Sequence, residues 1–161
     1  MTRQPMISVR NVHKNYPSGE SVVRALDGIS FEIGKGEFVS VTGPSGCGKS
    51  TLLHLLGGLD HPDSGEIFVD GIALHTAGEK ELVAYRRDSL GIVFQFFNLL
   101  PAMTVVENVE VPLLLNRIPL ADARKRAMEQ LEAVGLAARA AHFPHQLSGG
   151  QMQRAAIARA L

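Results

Sequence analysis

Nine residues in the first third of the chain have the composition and spacing of a phosphate-binding loop. The segment 43–51, GPSGCGKST, fits the pattern G-x-x-x-x-G-K-[ST]. Glycines in such a loop let successive backbone N–H groups turn toward phosphate oxygens, and the N-terminus of the following helix adds a positive dipole. Lys49 would supply a mobile cation, and Ser50 would supply a hydroxyl ligand for Mg²⁺. The segment therefore predicts binding of a nucleotide through its phosphates.

The residues on both sides of this loop have the pattern that such a loop requires. Residues 37–42, EFVSVT, alternate apolar and polar side chains as a half-buried strand does, and residues 50–56 have the apolar content of a buried helix. We therefore expect a strand, the loop and then a helix. The alternative is a glycine-rich turn that contains Lys-Ser by chance, and the flanking segments argue against it.

Composition limits the class of protein. The chain has 161 residues, 45% of them hydrophobic, which is enough for the core of one domain. Sixteen basic and sixteen acidic side chains balance, so nucleic acid is not expected as a partner. No apolar run approaches the roughly 18 residues that cross a bilayer. The start of the chain has no secretion signal, and the single Cys47 cannot form an internal disulfide, so we expect a reducing cytosol.

The segments around the loop predict an antiparallel sheet. The β-rich runs 6–12 and 22–33 are separated by turn residues at 17–19, and a second turn is expected at 34–36. A short strand is predicted at 66–69.

The rest of the chain predicts helices and one further strand. The apolar run 90–94 predicts a buried strand that leads to Gln95. Three prolines divide the stretch that follows, which predicts a helical insert. Helices are expected at 79–87, at 122–134, and in a last segment that begins with LSGGQ at 147–151.

Three motifs of this sequence occur in the order and approximate spacing of the ATP-binding-cassette ATPases, and the sequence closely resembles that family. They are the phosphate loop, Gln95 after an apolar run, and the signature LSGGQ at 147–151. Many nucleotide hydrolases share the phosphate loop, whereas the signature pentapeptide is close to diagnostic. Residues 96–109 further resemble the subgroup that drives lipoprotein release and macrolide export. The resemblance implies an ATP-binding subunit that couples ATP binding and hydrolysis to export or lipoprotein release.

The resemblance also implies the fold. It is an α/β fold with a RecA-like P-loop NTPase core, an antiparallel β subdomain and a helical signature subdomain. A single ATP-binding domain would span 1–161, with the β subdomain and core in 1–95 and the helical subdomain in 96–161. In the family, an apolar strand ending in Asp-Glu and a later His follow the signature helix, and this sequence has neither. We therefore expect a fold that is incomplete at the C-terminus.

An incomplete fold has two expected consequences. Apolar surface of Val39, Val41 and the helix that contains Leu52 would be partly uncovered, which predicts poor stability or aggregation. Hydrolysis of ATP by this chain alone would be weak or absent, because positioned acid–base groups contribute about 10²- to 10⁴-fold to such chemistry.

The resemblance assigns roles to individual residues. Tyr16 would stack on adenine, Lys49 and Gln95 are the catalytic candidates, and Ser50 and Gln95 would bind Mg²⁺. The ATP-binding set is Tyr16, Gly43, Pro44, Ser45, Gly46, Cys47, Gly48, Lys49, Ser50 and Thr51. The signature residues that would contact the ATP of a partner subunit are Leu147, Ser148, Gly149, Gly150 and Gln151.

The implied partners are a second ATP-binding subunit, in a homodimer that encloses ATP and Mg²⁺, and a transmembrane permease subunit. The implied location is peripheral, on the cytoplasmic face of the inner or cell membrane. Apolar residues 96–106 suit a groove for a short helix of the membrane subunit, and plain core packing of the helical insert is the alternative. Two other functions stay open: a truncated nucleotide-binding fragment without hydrolysis, and a soluble cassette ATPase that is not linked to transport.

Overall fold

A four-stranded antiparallel sheet occupies the first part of the chain in the computed structural model, which describes residues 5–19 and 21–161. Its strands are β1 (Ile7–Ser18), β2 (Ser21–Ile33), β3 (Ser64–Val69) and β4 (Ile72–Ala73), in the order β2-β1-β3-β4. The predicted antiparallel runs and the predicted short strand are confirmed. The turn between β1 and β2 is tighter than expected, because pairing continues to Ser18 opposite Ser21.

The pairing of β1 with β2 is irregular near the middle of both strands. Lys14 lies opposite Leu26 and Asn15 lies opposite Arg24, so Ala25 has no cross-strand partner in this register. An extra residue on one strand of an antiparallel pair is a β-bulge, which bends the strand and re-aims its neighbours. The bulge therefore sets the direction of β2 at Ala25.

Two helices complete this part of the chain. They are α1 (Lys49–Leu56) and α2 (Glu79–Asp88), both close to the predicted bounds. The Tyr85 hydroxyl on α2 donates a hydrogen bond of 2.7 Å to the Leu56 carbonyl at the end of α1, and the Arg86 guanidinium donates to the Gly58 carbonyl. These bonds satisfy carbonyl groups that the end of a helix leaves without partners.

The strands predicted at 37–42 and 90–94 are wrong. Neither segment belongs to a ladder of the sheet described for residues 5–19 and 21–161. A segment with the residue pattern of a strand forms one only when a neighbouring strand supplies hydrogen bonds, so the alternation of 37–42 and the apolar run of 90–94 were insufficient by themselves. The expected uncovered surface is confirmed, because Val39 is 50% and Val41 is 44% exposed. On α1, Leu52 itself is buried and Leu53 is 57% exposed.

Three helices form the second part of the chain. They are α3 (Val105–Leu115), α4 (Leu120–Ala133) and α5 (Gly149–Ala160), with short 3₁₀ turns at Ala137–Arg139 and Pro144–Gln146. The predicted helical insert and the predicted last two helices are confirmed. Pro112 lies inside α3 and does not divide it. A capping box of Thr104 and Glu107 starts this helix.

Apolar side chains of these three helices share one core. Its members include Val105 and Val106 of α3, Leu131 of α4 and Ala155 of α5, all less than 5% exposed. Core packing is therefore confirmed for the end of the segment 96–106. Leu99 also packs against this core, whereas Phe96, Leu100 and Met103 remain outside it, at 82%, 43% and 38% exposed.

The chain separates into two units, one that ends at Arg86 and one that spans Arg87–Leu161. The predicted division of one ATP-binding domain after residue 95 stays a prediction. Within the described residues, no helix has both the length and the apolar character that crossing a bilayer requires.

Replacing Leu131 by Ala is expected to destabilise the second unit by about 2–5 kcal/mol, because Leu131 is 0% exposed and its removal leaves a cavity. Leu120→Ala on the same helix is the matched control; Leu120 is 64% exposed and its loss should cost no more than about 0.5 kcal/mol. Guanidinium unfolding followed by helical circular dichroism measures both. Equal losses would contradict the assigned core.

Candidate phosphate-binding site

The phosphate loop and the sheet enclose a cavity of about 540 Å³ in the first unit. Its sheet side is formed by Tyr16, Val23 and Ala25, and its loop side by Ser45, Gly46, Gly48, Lys49, Ser50 and Thr51. The structure thus brings Tyr16 together with six of the predicted loop residues. Val23 and Ala25 were missed by the sequence analysis. Their signal is the i, i+2 spacing on β2, which puts both side chains on one face.

Gly48 lies directly against β2. Its φ is +90°, and a Cβ built there would overlap the carbonyl oxygen of Ala25 and lie 3.0 Å from the Cδ2 atom of Leu26. Only glycine satisfies both conditions, since it tolerates a positive φ and has no side chain. The loop and the strand are therefore held at backbone contact distance.

The helix α1 begins immediately after this contact. Gly48 is its N-cap and provides no side-chain hydrogen bond to the first turn. The first N–H groups of a helix have no partner within the helix, and together they carry a partial positive charge. Lys49, Ser50 and Thr51 occupy this first turn and border the cavity. The donors in this turn suit an anion such as phosphate.

The side chain of Lys49 curls back over the loop. Its Nζ atom donates hydrogen bonds to the carbonyl oxygens of Gly43, at 2.9 Å, and Pro44, at 2.7 Å, and lies 3.6 Å from the Sγ atom of Cys47. The ammonium group is thus inside the curve of the loop, where it would meet a phosphate oxygen. Cys47 is exposed, and its thiol is one more contact of the lysine.

Tyr16 stands at the opposite side of the cavity. Its hydroxyl donates a 2.8 Å hydrogen bond to Asp60. Burial raises the pKa of the Tyr16 hydroxyl above its ordinary value of 10.0, and the hydrogen bond to Asp60 raises it further. The hydroxyl therefore stays a neutral donor at physiological pH.

The signature residues lie in the second unit. Ser148 caps α5: its Oγ accepts from the Gln151 N–H at 3.4 Å, and its own N–H donates to Oε1 of Gln151 at 2.9 Å. Leu147 is 8% exposed and belongs to the core. A Cβ built at Gly149 or Gly150 would meet no atom within 4 Å. The fold of this unit therefore does not require glycine at either position.

Gln95 lies on an exposed turn of the second unit, and Ser50 lies in the first unit. The Mg²⁺ role assigned to this pair, and the catalytic role assigned to Gln95, stay predictions. Within the described residues, no group of three His, Cys, Asp or Glu side chains is arranged to hold a metal ion.

Comparison with known proteins identifies what the chain is similar to. The profile of the ABC transporter family matches residues 26–161. The chain is 50% identical over 160 residues to the macrolide export ATP-binding/permease protein MacB 1/2 of Paracoccus denitrificans, covering 99% of this chain. It is 48% identical over 161 residues to the lipoprotein-releasing system ATP-binding protein LolD of Pseudomonas syringae pv. tomato, covering all of this chain.

Solved structures of ATP-binding cassettes have a similar fold. The dimeric structure of the ATP-binding cassette MJ0796, a post-hydrolysis state bound to ADP and Pi, matches with a TM-score of 0.90 and 48% identity over 97% of this chain and 69% of that chain. The predicted α/β P-loop NTPase fold is thereby confirmed. A third relative, an ABC transporter ATP-binding protein of Thermotoga maritima, is 50% identical over 151 residues, which are 94% of this chain. The chain spans only part of the length of these relatives: 64% of the Thermotoga maritima protein, 24% of MacB and 71% of LolD.

Gly48→Ala is expected to destabilise the first unit by about 2 kcal/mol more than Gly46→Ala. Both glycines have a positive φ, +90° and +83°, but a Cβ at Gly46 would meet nothing within 4 Å. The difference therefore isolates the contact with Ala25, and the free energy of unfolding in urea measures it. Equal destabilisation by the two variants would show that the close approach does not hold the loop.

Proposed function

Because the chain belongs to the ABC transporter family, we propose that it is the ATP-binding part of a transporter and couples ATP binding and hydrolysis to export or lipoprotein release. The observation that supports the proposal is the cavity that has six residues of the phosphate loop on one side and Tyr16 on the other. LolD and MacB, which the chain resembles along almost its whole length, carry lipoprotein release and macrolide export in their names.

The first unit has the groups that ATP requires. The phosphates would lie in the loop, with the first-turn N–H groups of α1 and the Lys49 ammonium opposite their charge. The adenine would stack on Tyr16, whose ring borders the same cavity. The Ser50 hydroxyl, in the first turn of α1, would be a ligand of Mg²⁺, which neutralises phosphate charge when bound.

The signature supports a site that is shared between two copies. The N-terminus of α5 is capped by Ser148 and has two glycines that no contact in this unit requires. Glycines at the N-terminus of a helix allow the backbone N–H groups to come within hydrogen-bond distance of a phosphate, because no side chain lies between them. We infer that these residues contact ATP bound to a second copy of the chain, and the MJ0796 neighbour is itself a dimer.

The turn after Gln95 supports contact with a membrane subunit. The guanidinium of Arg159 donates hydrogen bonds to the carbonyl oxygens of Asn98, at 2.6 Å, and Phe97, at 2.7 Å. The Asn108 amide, which is fully buried, bonds to both backbone groups of Leu100. These bonds hold the exposed Phe96 in a fixed segment. We propose that this segment docks the permease, at the cytoplasmic face of the membrane.

Lys49→Ala is expected to weaken Mg-ATP binding by about 10- to 100-fold, because a charge-assisted hydrogen bond contributes about 1.5–3 kcal/mol. Lys35→Ala is the matched control, since Lys35 is an exposed lysine in the turn 34–36. Isothermal titration calorimetry measures both affinities. Unchanged affinity in the Lys49 variant would contradict the assigned phosphate site.

Gly150→Ala is expected to leave the melting temperature equal or slightly higher, since the site has room for Cβ and alanine favours helix. The same substitution should abolish association driven by Mg-ATP, as read by sedimentation velocity. Gln153→Ala, at an exposed position of α5, should leave association intact. A Gly150 variant that still associates with Mg-ATP would overturn the shared site.

A further inference from the structure

Tyr16 is tied to a second group of polar side chains outside the cavity. Its hydroxyl donates to Oδ2 of Asp60 at 2.8 Å. Asp60 follows α1, in the segment that leads to β3, and is 44 residues from Tyr16 in sequence. This hydrogen bond therefore connects the ring at the cavity wall to the far end of the helix that the phosphate loop starts.

The carboxylate of Asp60 is itself held in place. Its Oδ1 accepts from Nζ of Lys14 at 2.8 Å and from the His61 N–H at 2.7 Å. The same Lys14 Nζ donates to the His61 carbonyl at 2.7 Å. One oxygen of the carboxylate is thus occupied by two donors, and the other faces the Tyr16 hydroxyl. The acceptor for Tyr16 has a single orientation.

The ion pair of Lys14 and Asp60 is partly withdrawn from water. The Lys14 side chain is 11% exposed and that of Asp60 is 33% exposed. Taking an ion pair out of water costs much of the attraction that it gains, so such a pair is a poor source of stability. Burial favours the neutral acid, but the hydrogen bonds from Lys14 and Tyr16 lower the pKa of Asp60 below its ordinary value of 3.8. The carboxylate is therefore a charged, oriented acceptor.

Lys14 also constrains the ring directly. Lys14 and Tyr16 are two residues apart on β1, so their side chains leave the same face of the strand. The Nζ atom lies over the Tyr16 ring, 5.2 Å from its centroid. The contact with Lys14 restrains the face of the Tyr16 ring, and the hydrogen bond to Asp60 restrains its hydroxyl. Together they hold the ring in one orientation at the wall of the cavity.

We propose that Asp60 is a positioning residue for base recognition: with Lys14, it fixes the Tyr16 ring so that adenine stacks on a surface that is already ordered. The inference rests on the proposed function, because it assumes that the base of ATP meets Tyr16. Ordering a side chain at the moment of binding costs affinity, and a ring ordered beforehand avoids that cost. Asp60 and Lys14 act through Tyr16 and do not themselves reach the nucleotide.

Two ligands separate this role from a structural one. Mg-ATP contains the base and the phosphates, whereas Mg-tripolyphosphate contains only the phosphates. Tyr16→Phe keeps the ring and removes the hydroxyl, and Asp60→Ala removes the acceptor. Each should weaken Mg-ATP binding by about three- to tenfold, the range expected for ordering one side chain, and change tripolyphosphate binding by less than about twofold.

Asp63→Ala is the matched control. Asp63 belongs to the same segment and joins it to β1, because its Oδ2 accepts from the backbone N–H of Asn15 at 2.7 Å and from its side-chain amide at 3.0 Å. Its Oδ1 lies 3.8 Å from Nζ of Lys14, too far for a hydrogen bond, and within the described residues it makes no hydrogen bond to Tyr16, so its removal leaves the hydrogen bonds of Asp60 in place. The control should bind both ligands in the same ratio as the parent chain, and circular dichroism of each variant verifies that it is folded.

The outcomes are distinct. A loss confined to Mg-ATP in Tyr16→Phe and Asp60→Ala supports the inference. Unchanged Mg-ATP binding in Tyr16→Phe, equal losses for both ligands, or the same selective loss in Asp63→Ala would overturn it. Failure of the proposed function would look different: the parent chain would bind neither ligand, or Lys49→Ala would bind tripolyphosphate as the parent does.

Discussion

The backbone contact between Gly48 and Ala25 is the constraint on which the candidate site depends. A Cβ at Gly48 would overlap the Ala25 carbonyl oxygen, so the loop can lie against β2 only because the residue is glycine. This contact fixes the start of α1 and hence the direction of its first N–H groups. It also fixes the distance from the loop to Tyr16, which lies on the strand paired with β2. The proposed contacts with phosphate and with the base therefore depend on one close approach.

The phosphate loop could be predicted from sequence because each of its residue types answers a local requirement. Glycine permits the turn, Lys49 provides the cation, and Ser50 lies where the helix begins. The cap of α5 by Ser148 was predictable for the same reason, since capping depends on residues three positions apart. Local chemistry of this kind leaves a local signal.

Contacts between distant segments left no such signal. The runs 37–42 and 90–94 have the pattern of strands, but a strand requires a partner that the pattern does not identify. The bulge that turns Ala25 toward Gly48 depends on the register of two strands, and the bond from Tyr16 to Asp60 spans 44 residues. Pairings of this type are decided by the assembled fold. The resemblance to a family supplied the role assigned to Tyr16, but it predicted neither the bulge nor the bond to Asp60.

Backbone NMR during a titration with Mg-ATP is the measurement that tests the central claim most directly, because it reports on each N–H of the loop separately. If segment 43–51 and Tyr16 form the nucleotide site, the largest shifts should occur at the amides of 46–51, with smaller shifts at Tyr16, Val23 and Ala25. Shifts that omit the loop amides, or that are spread evenly along the chain, would contradict the assignment of this cavity to ATP.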